Sequence, residues 1–579
     1  MANSIDTYHR TAKPFATLDA LYDGLKNLEP WLDIVKLREC TDYVYDGKEI
    51  CDLKGVTGRL TKLNRDKKPK TIICHDMKGG YLEDRFLYGS LAHDSYLFYH
   101  WSIVDIFIYF SHYLVTIPPY GWINAAHNHG VKVLGTVITE RTDGEIIWEH
   151  ILSSIEETKK FADALVMLAK YYKFEGWLLN IENEIQKDHI QQLLYFVQYL
   201  TVEMHSNIEG SEVIWYDSVT IDGKLKWQNQ LNEHNKDFFE NCDGIFLNYN
   251  WTDAGLATSR AMADLNNRVQ DIYVGLDVWG RGCPGGGGFN SIEALKNIRE
   301  HDLSVAIFAP GWTHENFNAK DFMLIENIFW AQLTPYLYVH VPIYENVSFS
   351  SSFCIGSGEK FYYHGECDKY AAQPFYNLSW QQPQMSVPSI HLKFTSVRCL
   401  KKKNEVNEVS EEKKEKFIPE CIYETALQVI TVRGHEIRVE KKLQSELKNN
   451  IYCSKRCPYN GGKSVKITTS DSQVYYRLFL VHLEFNSDVQ IYVIHRSSED
   501  LDTNEATEQT ANHPTLILLS NQSFQFMEPY ETFEINAKWK KSYYRTINRT
   551  INEIGVRFSK TGTYYLGKIN IQPLPAIHS

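Results

Sequence analysis

The chain has 579 residues, too many for one hydrophobic core, so about two to four domains are expected. Hydrophobic residues make up 43% of the sequence and charged residues 23%, which are the proportions of an ordinary globular protein. The net charge of −12 argues against nucleic acid or an anionic membrane as a partner. No apolar run approaches the roughly 18 residues that a membrane-spanning helix needs.

Two further features of the sequence predict a cytosolic protein. The first ten residues lack the basic segment and following apolar stretch of a secretion signal. The cysteines number 11, an odd count that favours reduced thiols over a framework of disulfides. Cys453 and Cys457 form a CxxxC pair, but no second pair stands at the spacing of zinc ligands. We therefore predict no metal site and no cofactor.

Strand-like and helix-like segments alternate over the first part of the chain. Eight apolar runs read as strands: 71–77, 103–111, 131–138, 176–182, 212–217, 244–250, 272–278 and 304–309. Amphipathic segments that read as helices lie between most of them: 120–130, 153–173, 189–204, 235–241, 256–268 and 291–300. Eight such units in about 240 residues predict a (β/α)8 TIM barrel. A doubly wound open sheet is the alternative, although no nucleotide-binding glycine motif follows any of the strands.

Polar and aromatic residues collect where each of the eight apolar runs ends. In barrels of this kind the active site is built at the carboxyl ends of the strands. The clearest example is the run GWLLNIE at 176–182, in which Asn180 and Glu182 close an otherwise apolar strand. Side chains two apart in a strand share a face, so this amide and this carboxyl point the same way. They make a plausible pair for cleaving sugars, and the alternative is that they simply cap a strand.

After about residue 345 the pattern changes to short alternating runs that predict antiparallel β-sandwich modules. The predicted division is a catalytic barrel with an N-terminal extension at 1–345, a β-rich domain at 346–460 and a β-sandwich domain at 461–579. A charged insertion near residues 400–418 is predicted to be a solvated loop or a disordered segment.

Five strings at the predicted strand ends resemble glycoside hydrolase family 85, the endo-β-N-acetylglucosaminidases, and in particular its cytosolic animal members. The strings are HDMKGGY (75–81), GWLLNIE (176–182), WYDS (215–218), FLNYNW (246–251) and YVGLDVWGRG (273–282). They stand in the order of the family and spread over the predicted barrel. The segments 353–368 and 400–418 depart from the family pattern, which leaves the sugar-binding role of the later domains open.

The resemblance implies an enzyme that cuts the β-1,4 bond between the two N-acetylglucosamines at the base of an N-linked glycan. One sugar stays on the protein or peptide, so N-linked glycoproteins, glycopeptides or free oligosaccharides are the implied substrates. The implied reaction retains the anomeric configuration and is substrate-assisted, since the acetamido oxygen of the sugar attacks and forms an oxazoline. Such a mechanism needs only one carboxyl from the protein.

The resemblance also implies the roles of individual residues. Glu182 would be the general acid and later the base, and Asn180 would orient the acetamido group. Tyr216 would hydrogen-bond near that same group. Candidates for stacking against sugar rings are Trp227, Trp251 and Trp279, and candidates for contacts with sugar hydroxyls are Asn248 and Asp277.

Two other functions remain open from the sequence. One is a chitinase-like hydrolase on the same barrel, but such enzymes generally carry a DxxDxDxE run at the fourth strand, and residues 177–184 contain no aspartate. The other is a glycan-binding barrel with weak or lost catalysis. Loss of the acid would mark that alternative, whereas Glu182 is present.

Overall fold

A computed structural model describes residues 10–575, apart from residues 32, 52–59, 370, 372, 387–390, 399–414, 422–429, 434–435, 440–449, 473, 500–512 and 521–522. Most of the charged insertion predicted near residues 400–418 therefore lies outside the described residues. The N-terminal extension contains α1 (Leu18–Leu25), β1 (Cys40–Asp46), α2 (Gly47–Cys51) and β2 (Leu63–Asn64). Thr17 caps α1, because its hydroxyl accepts a hydrogen bond from the backbone N–H of Ala20.

The centre of the fold is a closed barrel of eight parallel strands, as the sequence predicts. These strands are β3 (Thr71–Asp76), β4 (Ile106–Phe110), β6 (Lys132–Glu140), β7 (Gly176–Glu182), β8 (Glu212–Tyr216), β9 (Gly244–Leu247), β10 (Ile272–Asp277) and β11 (Ser304–Phe308). Each pairs with a neighbour on both sides, and the pairing of β4 with β6 and of β11 with β3 completes the ring. A short strand, β5 (Val115–Thr116), runs antiparallel beside β6. Closure excludes the open-sheet alternative.

Helices follow most of the barrel strands. They are α3 (Tyr120–Asn128), α4 (Arg141–Ile151), α5 (Ile155–Tyr172), α6 (Ile190–Asn207), α7 (Lys236–Glu240), α8 (Asp253–Asp264), α9 (Ser291–Glu300), α10 (Trp312–Asn316) and α11 (Phe322–Leu333). The six predicted helices are all present, whereas α4, α10 and α11 were not predicted. Gly144 weakens the helical signal of α4, and it packs tightly on Asn183 and Thr139. Among the described residues, no helix is long and apolar enough to span a membrane.

Helix α5 illustrates why these segments are helical. The Ser154 hydroxyl caps its start by accepting from the backbone N–H of Glu157 at 3.2 Å. Phe161, Leu165 and Leu168 form a buried apolar stripe at helical spacing. Lys173 ends the helix in the left-handed conformation, with a φ of +56°. The helix therefore presses one apolar face against the barrel and delivers the chain to β7.

The barrel interior is packed with side chains. Ile72, Cys74, Ile108, Leu178 and Ile214 belong to one buried cluster inside the ring. The alternate residues of the same strands face outward and join the larger core that the helices cover. Because side chains alternate along a strand, the inward face of β7 continues from Leu178 to the two residues that follow it on the same face.

The rest of the described chain forms further β-sheets. The strands are β12 (Tyr338–Glu345), β13 (Phe349–Ser351), β14 (Ser357–Gly358), β15 (Tyr362–Tyr363), β16 (Glu366–Cys367), β17 (Phe375–Tyr376), β18 (His391–Arg398), β19 (Glu415–Cys421), β20 (Ile430–Arg433), β21 (Glu436–Val439), β22 (Asn450–Ser454), β23 (Ser464–Thr469), β24 (Val474–Glu484), β25 (Val489–Ser497), β26 (Pro514–Ser520), β27 (Ser523–Met527), β28 (Glu531–Glu534), β29 (Lys540–Thr546), β30 (Thr550–Phe558) and β31 (Gly562–Pro573). Two large sheets, one containing β24 and β30 and the other β25 and β31, share one buried core as a sandwich.

The N-terminal extension takes part in one of these sheets. Strand β1 pairs with β12, and β12 pairs in parallel with β24, so segments far apart in sequence lie side by side. The short strand β13 pairs with β31 of the other sheet. The predicted division at residues 345 and 460 stays a prediction.

Candidate active site

The pairing of β6 with β7 fixes the position of the Asn180 and Glu182 side chains. In this parallel register Ile138 lies beside Asn180, and Glu140 lies beside Glu182. Asn180 is buried, with 3% of its surface exposed, while Glu182 ends the strand and is only partly buried. The amide and the carboxyl therefore follow Leu178 on the inward face and emerge together where the barrel opens.

A cavity of about 190 Å³ occupies this mouth of the barrel. Residues from β3, β4, β6, β7, β8, β9, β10 and β11, or from the loops directly after them, line it. They are Cys74, Asp76, Phe110, His112, Ile138, Glu140, Leu178, Asn180, Glu182, Tyr216, Phe246, Tyr249, Arg281 and Phe308. Apolar rings form part of the wall, and the polar groups converge from several strands. That combination is typical of a small-molecule site.

The pKa of Glu182 is raised above the usual value for a glutamate. Burial is the main cause, because it disfavours the charged form, and the nearby Glu140 carboxylate is the second. A hydrogen bond with Asn180 and the proximity of His112 act in the opposite direction. The His112 ring in turn lies 3.4 Å from the Glu140 carboxylate, measured from Nδ1 to Oε2. The net effect favours a protonated Glu182, as a general acid requires.

A chain of hydrogen bonds holds Tyr216. Its hydroxyl donates to Oδ1 of Asn248 at 2.9 Å, and Nδ2 of Asn248 donates to Oδ1 of Asn229 at 2.9 Å. Burial raises the pKa of the Tyr216 phenol well above its ordinary value, so the phenol stays neutral. Both ends of the Asn248 amide are engaged within the protein, which places Asn248 behind Tyr216 as its support.

Asp217 organises the loop between β8 and α7. Its buried carboxylate accepts from the backbone N–H groups of Gln228 and Asn229, and from the Asn235 side chain at 3.1 Å. Burial raises the pKa of Asp217 to about 6. The loop that Asp217 holds carries Asn229 and the exposed ring of Trp227. The sequence placed Asp217 at a strand end but did not reveal this role.

Asp277 is fully buried and bonded to its own loop. Its carboxylate accepts from Nε of Arg281 at 2.8 Å and from Nη2 at 3.2 Å. The backbone N–H groups of Trp279 and Arg281 also donate to it, each at 3.1 Å. Arg281 lines the cavity, whereas Asp277 does not. The group that this loop presents to the cavity is thus the guanidinium, and Asp277 holds it in place.

The three predicted stacking tryptophans lie in different surroundings. Trp251 is buried, and its indole N–H donates to the Gly275 carbonyl at 2.8 Å. Trp227 and Trp279 are each 41% exposed. None of the three lines the cavity, so the structure brings Asn180, Glu182 and Tyr216 together and leaves the tryptophans outside that group. Their predicted role stays a prediction.

Several cavity residues were not among the predicted site residues. Asp76, His112 and Glu140 each stand where a predicted strand ends, and this position was the available signal. His75, next to Asp76, faces the other way and is buried among the rings of Phe107 and Trp122. Tyr249 and Arg281 come from the loops after β9 and β10. In the part of the chain that the structure describes, no group of three or more metal-ligating side chains is assembled.

Comparisons with known proteins point to one family. Residues 81–361 match the model of Glycosyl hydrolase family 85. A cytosolic endo-beta-N-acetylglucosaminidase of Gallus gallus is 46% identical over 323 residues, which cover 56% of this chain and 44% of the relative. Its counterpart of Homo sapiens is 45% identical over 55% of this chain and 42% of the relative. The matched regions therefore span less than half the length of these relatives.

A solved structure supports the fold over nearly the whole chain. The glycoside hydrolase domain of Endo-D from Streptococcus pneumoniae superposes with a TM-score of 0.69 at 17% identity, covering 97% of this chain and 83% of that domain. At this identity the likeness shows the shared architecture alone. The family match includes β7 and all of the residues that line the cavity except Cys74 and Asp76. Residues 81–361, which hold most of the barrel, therefore match glycosyl hydrolase family 85, as the resemblance of the sequence strings predicts.

Proposed function

We propose that this protein is an endo-β-N-acetylglucosaminidase that hydrolyses the β-1,4 bond of the N,N'-diacetylchitobiose core of N-glycans. One N-acetylglucosamine would remain on the protein or peptide. The observation that carries this proposal is the placement of Asn180 and Glu182 on one inward face of β7, at the wall of a cavity at the barrel mouth. The match of residues 81–361 to family 85 and the names of the matched relatives support the same activity.

The proposed reaction is substrate-assisted and proceeds in two steps. In the first, the carbonyl oxygen of the substrate's 2-acetamido group attacks the anomeric carbon, and Glu182 gives its proton to the departing glycosidic oxygen. An oxazoline forms as the bond between the two sugars breaks. In the second step the Glu182 carboxylate takes a proton from water, and that water attacks the anomeric carbon. Two displacements restore the original configuration.

Asn180 and Tyr216 would hold the acetamido group during these steps. The Asn180 amide oxygen is suited to accept from the acetamido N–H, which aims the carbonyl oxygen at the anomeric carbon. Tyr216 lines the same cavity, where the bond to Asn248 holds its hydroxyl near the place proposed for the acetamido group. Both groups are fixed by the protein before substrate binds, so little reorganisation is needed in the transition state.

A second mechanism deserves a test because two more carboxylates line the cavity. Asp76 and Glu140 are both present there, and either could act as the nucleophile of a two-carboxylate retaining reaction. That mechanism would not need Asn180 to handle an acetamido group. Activity of the Asp76→Asn and Glu140→Gln variants on a substrate with an intact acetamido group would favour the oxazoline route.

We also propose that the protein acts in the cytosol on N-linked glycopeptides, glycoproteins or free oligosaccharides. The word cytosolic in the names of the matched relatives supports the location. Buried free thiols at Cys74, Cys242 and Cys354 are compatible with a reducing compartment. The acidic net charge of −12 supports neither nucleic acid nor membrane as a partner.

Incubation with a high-mannose glycopeptide, followed by mass analysis of both products, tests the proposed bond. We expect a peptide that retains one N-acetylglucosamine and a free glycan that ends in the other. A peptide without any sugar would assign a different bond, and binding without turnover would favour the glycan-binding alternative. Turnover of chitin oligosaccharides in preference to the glycopeptide would favour the chitinase-like alternative.

A further inference from the structure

We propose that Glu140 is a positioning residue that keeps Glu182 in its protonated form, and that His112 modulates this effect. The inference rests on the proposed function, because it concerns the acid of that reaction. It goes beyond that function because it gives a second carboxylate and a histidine, which contact each other, a role in controlling the protonation of that acid.

The strand register makes Glu140 the neighbour of Glu182. The two glutamates lie side by side at the ends of β6 and β7, and both line the cavity. Ile138 and Asn180 form the preceding pair on the same inward face. The chain turns abruptly after Glu140, since Arg141 has a φ of +55°, a conformation that non-glycine residues rarely adopt. Glu140 therefore ends its strand at the level of the acid.

The other charged and titratable groups of the cavity do not take the place of the interaction between Glu140 and Glu182. They are Cys74, Asp76, His112, Tyr216, Tyr249 and Arg281. Arg281, the cation among them, is held by the buried Asp277 carboxylate through Nε and Nη2. The nearby charges that act on the pKa of Glu182 are Glu140, which raises it, and His112, which lowers it, beside the larger effect of burial.

The contact between His112 and Glu140 adds a second influence on the Glu182 carboxyl. A protonated His112, with Nδ1 at 3.4 Å from Oε2 of Glu140, would offset the negative charge of that carboxylate. Both side chains are partly exposed, at 54% for His112 and 39% for Glu140, so solvent weakens their charges without removing them. Removing Glu140 and removing His112 should therefore shift the pKa of Glu182 in opposite directions.

The test combines an NMR titration of the Glu182 carboxyl with a separate measurement of how turnover depends on pH. Protein labelled with ¹³C at the glutamate carboxyls is titrated by NMR, and the signal missing from Glu182→Gln is assigned to Glu182. In parallel, kcat/KM for a glycopeptide is measured against pH. In Glu140→Gln we expect the Glu182 titration and the alkaline limb of kcat/KM to shift to lower pH by about one unit. In His112→Asn we expect a smaller shift to higher pH.

Two further variants serve as controls. Glu184→Gln removes an exposed carboxylate two residues after the acid, which pairs with Lys224 at 3.5 Å, and should leave the Glu182 titration unchanged. Glu140→Asp keeps the charge and should retain most of the native titration. If Glu140→Gln fails to fold, the opposite shift in His112→Asn and the native behaviour of Glu140→Asp still test the proposal.

The outcomes separate this inference from the proposed function. An unchanged Glu182 titration in folded Glu140→Gln overturns the inference even if the glycopeptide is cleaved normally. Loss of turnover at every pH in folded Glu140→Gln overturns it as well, because a nucleophile and not a tuning residue would then have been removed. A shifted titration in a protein that cleaves no glycopeptide supports the tuning role and refutes the proposed activity.

Discussion

The two ends of the barrel both carry cavities and charged residues, but the carboxylates that line the two cavities have different charged neighbours. At the amino ends of the strands lies a cavity of about 830 Å³, far larger than the one of about 190 Å³ at the carboxyl ends. In the larger cavity Arg65 pairs with Asp105 at 2.9 Å, and Lys132 pairs with Glu212 at 2.7 Å. Asp105 also accepts from the backbone N–H of Thr71 at 2.8 Å.

In the smaller cavity the Glu182 and Glu140 carboxylates lie side by side. Glu182 has Glu140 beside it, and among the described residues no cation is within ion-pair distance of Glu182. A carboxyl in such surroundings is a poor contributor to stability and a good proton donor. If the active site were chosen by cavity size alone, the amino end of the barrel would be chosen. The charge environment instead favours the carboxyl end, where barrel enzymes carry out chemistry.

The largest effect is expected from the acid itself. Glu182→Gln removes the proposed proton donor and should lower kcat for a high-mannose glycopeptide by about a thousandfold, while leaving glycopeptide binding nearly unchanged. Steady-state rates and calorimetric binding measure the two quantities. The matched variant at the other end of the barrel, Glu212→Gln, should keep the native kcat. Equal losses of kcat in both variants would contradict the view that only the carboxyl end of the barrel takes part in catalysis.

The next effect concerns the amide beside the acid. Asn180→Ala should lower hydrolysis by about a hundredfold or more, because the acetamido group loses the partner that aims it. Asn180→Gln and Asn180→Asp should still process a preformed sugar oxazoline, in which the bond to the acetamido oxygen already exists. Product analysis with both substrates checks this difference. Normal hydrolysis by Asn180→Ala would contradict the substrate-assisted scheme.

Much of this site could be predicted from the sequence, because it depends on local rules. The period of two along a strand is enough to place Asn180 and Glu182 on one face, and eight alternating units are enough to predict the barrel. The position of Glu140 beside Glu182 depends on the register between two strands, which no local pattern encodes. That position therefore became visible only in the folded chain.

The hydrogen-bond partners of polar residues at the strand ends were equally hidden. Asn248 bonds to Tyr216 and Asn229, and Asp277 bonds to Arg281, while their predicted contacts with sugar hydroxyls stay a prediction. A polar residue at a strand end can serve the substrate or its own loop, and the sequence does not distinguish these uses. The same holds for the pairing of β1 with β12, which joins segments roughly 300 residues apart.

At the amino end of the barrel, a carboxylate should matter for stability and not for rate. Asp105→Ala leaves Arg65 and the backbone N–H of Thr71 without their acceptor, since these bonds are 2.9 and 2.8 Å long. We expect the free energy of unfolding to fall by about 2 kcal/mol with kcat unchanged. Glu39→Ala, whose exposed side chain lies 3.9 Å from Lys36, should change stability by less than about 0.5 kcal/mol. A large drop in kcat for folded Asp105→Ala would contradict a structural role.

The smallest effect should distinguish an exposed tryptophan from a buried one. Trp279 is 41% exposed, so Trp279→Ala should raise KM about fivefold if a sugar ring stacks on it, with kcat and the melting temperature retained. Trp251→Phe instead loses the indole bond to the Gly275 carbonyl and should lower the free energy of unfolding by about 1 kcal/mol, with KM retained. Steady-state kinetics and denaturant unfolding on both variants check the pair. A raised KM in Trp251→Phe and not in Trp279→Ala would contradict the assignment of sugar stacking to Trp279.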